Sequence, residues 1–206
     1  MSPGSPATDV DRIIFARVAF APLAYFALAA VATYLAPMEP KLLTCCLFAV
    51  GVGAAGLLPP GRRFLLWQWS RTKAHLGLLI VAIPAGALFY LATFLAKATD
   101  PSEVFGWRLS LEHLLLSRLT IPFVEEFLFR GVAIGRSSGR EAWIAATLAA
   151  VCFAMIHPDR WLGTFIFSLV AAAFYLRGGI GAAWGFHAAY NLANYAALLW
   201  FSANNA

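Results

Sequence analysis

The sequence predicts an all-α fold, a polytopic membrane bundle of about seven transmembrane helices, and three observations carry that prediction. Of the 206 residues, 61% are hydrophobic and only 12% are charged, where a soluble domain carries roughly 25% charged residues. Mean hydropathy is +0.74. Apolar runs of the length a bilayer requires, about 20 residues each, recur along the chain between short breaks rich in Pro, Gly and basic residues. A chain of this length filled by such spans has no room for a separate soluble domain. One transmembrane domain is therefore expected over 13–206, after a Pro/Ser-rich disordered lead over 1–12. That lead lacks the basic start and small-residue cleavage site of a signal peptide.

The spans follow in order. The first covers 13–36 and is stopped by Pro37 and Pro40. The second, 42–58, ends at Pro59-Pro60, and its small residues Gly51 to Gly56 suit close approach of helix backbones. Residues 61–73 mix Arg62, Arg63, Arg71 and Lys73 with Trp67 and Trp69, the composition of a lipid-surface anchor. The third span, 75–96, contains Pro84 as a kink point. Glu103 to Arg108 reads as a smaller interfacial segment. The fourth span, 111–135, carries an acidic pair. The fifth, 142–157, ends at Pro158, and the sixth is 162–176. The break Arg177-Gly178-Gly179 introduces the seventh, 181–202. His75 and His113 stand at span starts and read as interfacial.

The net charge of +5 does not indicate nucleic acid, because the basic residues gather at span ends, where they set topology and meet lipid headgroups. Seven spans put Arg12, Arg62, Arg63, Arg71, Lys73, Arg136, Arg140 and Arg177 on one side and Lys41, Lys97, Arg108 and Arg160 on the other. That excess places the N-terminus in the cytoplasm. Cys45, Cys46 and Cys152 have neither disulfide-framework nor metal spacing and read as buried free thiols.

Ionisable residues inside a span cost at least a few kcal/mol and are functional hypotheses by default. The stretch Ile121-Pro122-Phe123-Val124-Glu125-Glu126-Phe127-Leu128-Phe129-Arg130-Gly131 holds three. On a regular helix Glu126 and Arg130 are neighbours on one face, which suits an ion pair. Glu125 lies about 100° around from Glu126 and is free to face a cavity, where a carboxylate withdrawn from water can serve as a general base. Bracing of the bundle is the competing reading, favoured for Glu126. Phe153 and His157 share a face near the end of the fifth span. In the seventh, His187 and Asn191 project together and can donate two hydrogen bonds to one oxygen, or serve as interhelical packing glue. Measured from the cytoplasmic ends at ~1.5 Å per residue, Glu125 lies roughly 15 Å deep, His187 roughly 10 Å and His157 roughly 24 Å. His157 is thus expected farther out than the other two.

Glu125-Glu126-x-x-x-Arg130, Phe153-x-x-x-His157 and His187-x-x-x-Asn191, in that order on three spans, resemble the signature of the CAAX protease and bacteriocin-processing family, the Abi-type intramembrane glutamic proteases. The resemblance covers 111–202. It implies an intramembrane endopeptidase in which Glu125 and His157 bind and activate a water, His187 and Asn191 stabilise the oxyanion, and Glu126 and Arg130 support. It also implies a membrane-associated protein or peptide substrate, no cofactor, and a multi-pass protein of a bacterial cell membrane. The first half of the chain carries no such motif, and part of the substrate choice is expected there. Arg118, outside the motifs, stands seven residues before Glu125 and could hold a substrate carboxylate, tune Glu125 or snorkel to the interface. Pro122, between them, is expected to kink the helix and admit water. Two other readings remain open: a zinc-dependent membrane protease using Glu125, His157 and His187, although no His-Glu-x-x-His pair is present, and a non-enzymatic immunity or scaffold protein.

Overall fold

A computed structural model describes residues 6–36, 40–96, 111 and 114–204 of the chain. Among these there is no strand. Helix α1 spans Pro6–Leu35, α2 Pro40–Leu57, α3 Pro59–Ala74 and α4 Leu79–Ala96. Helix α5 runs over 114–132 and α6 over Gly139–Met155. The helical stretch Trp161–Asn204 breaks at Gly179 into α7 (161–178) and α8 (180–204). Gly179 has φ 72° and ψ −165°, a backbone region open essentially to glycine alone. The break anticipated at Arg177-Gly178-Gly179 therefore has a covalent cause.

Four stretches are long and apolar enough to cross a membrane: Ile13–Leu35, Pro40–Leu57, Leu76–Thr93 and the 43-residue Pro158–Trp200. The last is long enough for two crossings once it is broken at Gly179. Leu23, Phe26, Val50, Leu57, Ile80 and Leu88 are exposed on these helices, as lipid-facing side chains should be. The chain is a multi-pass integral membrane protein with an all-α bundle.

The structure departs from the sequence reading in several places. Helix α1 starts at Pro6, so residues 6–12 of the expected disordered lead are helical. Segment 61–73 is more than a surface anchor. Gln68 on α3 is buried, and the Arg71 guanidinium donates to the Leu176 carbonyl while lying 5.5 Å from the Trp67 ring and 5.2 Å from that of Tyr175. One face of α3 is thus inserted into the bundle, while Arg62, Arg63, Leu66, Trp69, Ser70 and Lys73 look outward. Among the described residues a side chain at Gly51 or Gly53 would meet nothing within 4 Å, so those positions of α2 make no close helix approach there. Of the thiols, all free, Cys46 is exposed and the other two half-buried. His75 is exposed at the α3–α4 junction. Glu103 to Arg108 and His113 lie outside the described residues.

Helix α6 turns Ala142, Ala145, Ala146, Ala149, Ala150, Phe153 and Ala154 into the core. This small-residue face lets α6 lie close to α1 and to the 161–204 stretch. Close approach recurs where α4 meets α8. A Cβ on Gly86 would stand 2.1 Å from the Phe186 carbonyl oxygen, and one on Gly185 would stand 2.5 Å from Leu79 Cδ2. The two backbones can meet there only because both positions lack side chains.

Candidate active site

Helix α5 changes register around the acidic pair. It is π-helical over Leu114–Thr120, α-helical over Ile121–Glu126 and π-helical again over Phe127–Val132. The amide of Ala133 reaches back five residues to the Leu128 carbonyl at 3.1 Å. Pro122 offers no amide hydrogen and its ring crowds the carbonyl four residues back; the wider turn just before it accommodates both. Such turns are frequent at functional sites. They also advance fewer degrees per residue than an α-helix, so angles drawn on a regular wheel do not carry across them. Half-buried Arg118 falls in the first wide stretch, in electrostatic reach of Tyr90 on α4 and Tyr195 on α8.

Four ionisable side chains come together where α5 meets α8. Glu125, Glu126, Arg130 and His187 are all buried. Arg130 Nη1 donates to Glu126 Oε1 at 3.0 Å, the i,i+4 ion pair expected. Its Nη2 donates to the Ser168 hydroxyl at 2.7 Å and to the Ser168 carbonyl at 3.2 Å on α7. His187 Nδ1 lies 2.8 Å from the same Glu126 oxygen. A carboxylate oxygen accepts, so Nδ1 carries the proton. The other ring nitrogen, Nε2, lies 3.7 Å from Glu125 Oε2. Glu125 Oε1 accepts a 2.9 Å hydrogen bond from the Tyr25 hydroxyl on α1.

Glu126 thus does more than neutralise Arg130: it also fixes the ring and tautomer of His187, as a carboxylate orients an imidazole in metal sites and serine-protease triads. The sequence reading missed this contact because it joins residues 61 positions apart. Tyr25 and Ser168 were missed too. Ser168 carried a faint signal, a hydroxyl inside the apolar run 162–176.

Aromatic rings wall the cluster. Phe167 meets the His187 ring edge-on at 4.8 Å, and Phe153 meets it at 6.2 Å. The Arg130 guanidinium stands 4.9 Å from the Phe153 centroid. These rings keep the charges in a low dielectric, where each interaction is stronger than in water.

His157 lies beyond the end of α6, half-buried, with its ring 4.9 Å from that of Phe153. Phe153 therefore touches both imidazoles, and His157 is separated from the cluster by one ring. Its Nδ1 is 2.9 Å from the Phe153 carbonyl oxygen; the carbonyl accepts, which leaves Nε2 as the nitrogen with the lone pair. Asn191 sits one turn along α8 from His187, half-buried. Among the described residues, no group of three or more His, Cys, Asp and Glu converges as a metal set.

No curated protein and no solved structure matches the chain significantly. One family model does match, the type II CAAX prenyl endopeptidase Rce1-like family, over residues 107–193. The matched segment contains Glu125, Glu126, Arg130, His157, His187 and Asn191 and leaves out α1 to α4. Over residues 107–193, less than half of the chain, the protein is similar to the Rce1-like type II CAAX prenyl endopeptidases.

Proposed function

We propose that the protein is a glutamate-dependent intramembrane endopeptidase that hydrolyses a peptide bond of a membrane-associated protein or peptide without a covalent intermediate. The observation that supports this reading best is the buried cluster itself, with Glu125 Oε2 facing His187 Nε2 at 3.7 Å while Glu126 and Arg130 hold the imidazole. Glu125 takes a proton from a water that His157 positions through its free Nε2. The water oxygen attacks the carbonyl carbon, the carbonyl oxygen becomes the oxyanion, and the proton passes from Glu125 to the leaving nitrogen as the C–N bond breaks. His187 and Asn191 stabilise the oxyanion. With Nδ1 given to Glu126, His187 can donate only from Nε2, so it must then carry a second proton; the two carboxylates beside the ring balance that charge. The zinc-dependent reading has less support, since Glu125 is engaged by Tyr25, His187 by Glu126 and His157 by the Phe153 carbonyl. On this reading the N-terminus is cytoplasmic, an orientation supported by the distribution of basic residues along the sequence.

The test uses purified protein and an internally quenched, farnesylated peptide ending in Cys-aliphatic-aliphatic-X, with an unprenylated copy as second substrate. Wild-type protein is expected to cleave at least one. Glu125→Gln keeps the shape and is expected to lower kcat at least ~10²-fold, the scale of general-base loss. Full activity in this variant, or a folded wild type inert toward both peptides, overturns the proposal.

A further inference from the structure

The helix that completes the cluster is not in the matched segment. Tyr25 lies on α1, 100 residues before Glu125 in sequence, and its hydroxyl donates to Glu125 Oε1 at 2.9 Å. The ring is itself held: it packs against Phe129 of α5 at 6.1 Å and against Phe26 at 6.3 Å. The two oxygens of Glu125 are therefore unequal. Oε1 is engaged by Tyr25, whereas Oε2 looks toward His187 Nε2.

We propose that Tyr25 is a positioning residue of the hydrolytic reaction: by holding Oε1, it makes Oε2 the oxygen that takes the proton from water and keeps the carboxylate in one rotamer. This inference rests on Glu125 being the base. The physical argument is directional. A carboxylate on a two-torsion stem (χ1, χ2) ending in a broad terminal torsion can rotate either oxygen toward a water. A hydroxyl fixed by aromatic packing removes that freedom and favours the charged form by donating to it. The titratable groups around Glu125 are Tyr25 from α1, Glu126 and Arg130 from α5, and His187 from α8, with Cys45 of α2 beside Tyr25. Tyr25 and His187 contact Glu125 directly, and removing the Tyr25 hydroxyl leaves the other groups in place.

The experiment follows kcat, KM and the pH dependence of kcat/KM for wild type, Tyr25→Phe and Glu125→Gln, with cleavage of the farnesylated peptide as readout and thermal unfolding in detergent as the fold control. Tyr25→Phe is expected to unfold within a few degrees of wild type, to keep KM within about twofold and to lose roughly tenfold in kcat. Its acid limb should move to higher pH by about one unit, the scale of one hydrogen bond to a charged group. A ring-fluorinated tyrosine at position 25, a stronger donor, should move the limb the opposite way with kcat retained. An unmoved acid limb in both variants overturns the proposal, as does a Tyr25→Phe effect confined to unfolding temperature. If Glu125→Gln is inactive while Tyr25→Phe matches wild type throughout, the Tyr25 role fails and Glu125 stands. If Glu125→Gln is active, both fail.

Discussion

Two regions of buried polar groups, one charged and one neutral, share helix α5. The charged region is the cluster of Glu125, Glu126, Arg130 and His187 where α5 meets α8. The neutral region lies at the C-terminal end of α5 under α3. There Gln68 Nε2 donates to the Tyr175 hydroxyl at 2.9 Å and to the Gly131 carbonyl at 3.4 Å, and Tyr175 donates to the Gly135 carbonyl at 2.9 Å. Arg17 and Arg136 fasten the same end from outside, donating to the Ser137 hydroxyl and the Arg63 carbonyl. A helix end leaves carbonyls without intrahelical partners, and the neutral network caps them. It has no group able to take a proton from water. The charged cluster caps nothing: it has two carboxylates for one guanidinium, a surplus that only chemistry or an extra proton uses. Burial is similar in the two regions, so burial of polarity alone does not mark a site. What sets the charged cluster apart is Glu125 Oε2, an acceptor that faces His187 Nε2 at 3.7 Å, beyond hydrogen-bond distance.

The comparison breaks most severely at Arg130. Arg130→Met keeps much of the side-chain volume and leaves Glu126 a buried charge without its cation. Removing one partner of a buried ion pair costs about 3–5 kcal/mol, and here the Ser168 hydroxyl and carbonyl are deprived of their donor as well. The expected result is a large fall in thermal unfolding temperature in detergent, whereas Glu125→Gln unfolds like wild type and is inactive. If Arg130→Met unfolds at the wild-type temperature, the guanidinium is not what holds the cluster together.

A second test leaves the cluster's own residues untouched. Gly86→Ala places a Cβ 2.1 Å from the Phe186 carbonyl, a backbone atom next to His187 that cannot rotate away. Helices α4 and α8 must separate, at a cost of about 1–3 kcal/mol. His187 moves with α8, and a displacement of about 1 Å at a catalytic group can cost on the order of 10²-fold in rate. Gly86→Ala is expected to lower kcat by at least tenfold while the protein remains folded. Gly53→Ala on α2, where a Cβ meets nothing, serves as the control. Equal activity of the two variants would show that the α4–α8 contact does not set the position of His187.

Much of the charged region was legible in the sequence, and little of the neutral one. The pairing of Glu126 with Arg130 follows from spacing, because i,i+4 neighbours survive even where α5 widens. The break before α8 follows from paired glycines. The contacts of His187 with Glu126, of Tyr25 with Glu125 and of Arg130 with Ser168 join separate helices, and one sequence carries no distance information between spans. The depth estimate set His157 apart, and His157 does stand outside the charged cluster, with the Phe153 ring between it and His187. Segment 61–73 was misjudged for a different reason. Its Arg and Trp content is that of an interfacial helix, which its outer face is, and the inward Gln68 looks like one more polar surface residue until α3 is seen against α7.

The smallest effect is expected in the neutral region. Gln68→Met is close to volume-conserving and removes an amide that donates to Tyr175 and Gly131. Two terms of opposite sign follow. The Tyr175 hydroxyl and a helix-end carbonyl lose a donor, at about 0.5–1.5 kcal/mol per hydrogen bond. Against that, Gln68 Oε1 is buried with no hydrogen-bond partner among the described residues, and its desolvation cost disappears with it. Tyr175 still donates to Gly135 in the variant. The net change is therefore expected to be about 1 kcal/mol or less, a shift of a few degrees in unfolding temperature, with kcat and KM unchanged. A Gln68→Met protein that unfolds normally but hydrolyses peptide tenfold more slowly would mean that the end of α5 and its middle act as one unit, and the division between a capping network and a chemical one would not hold.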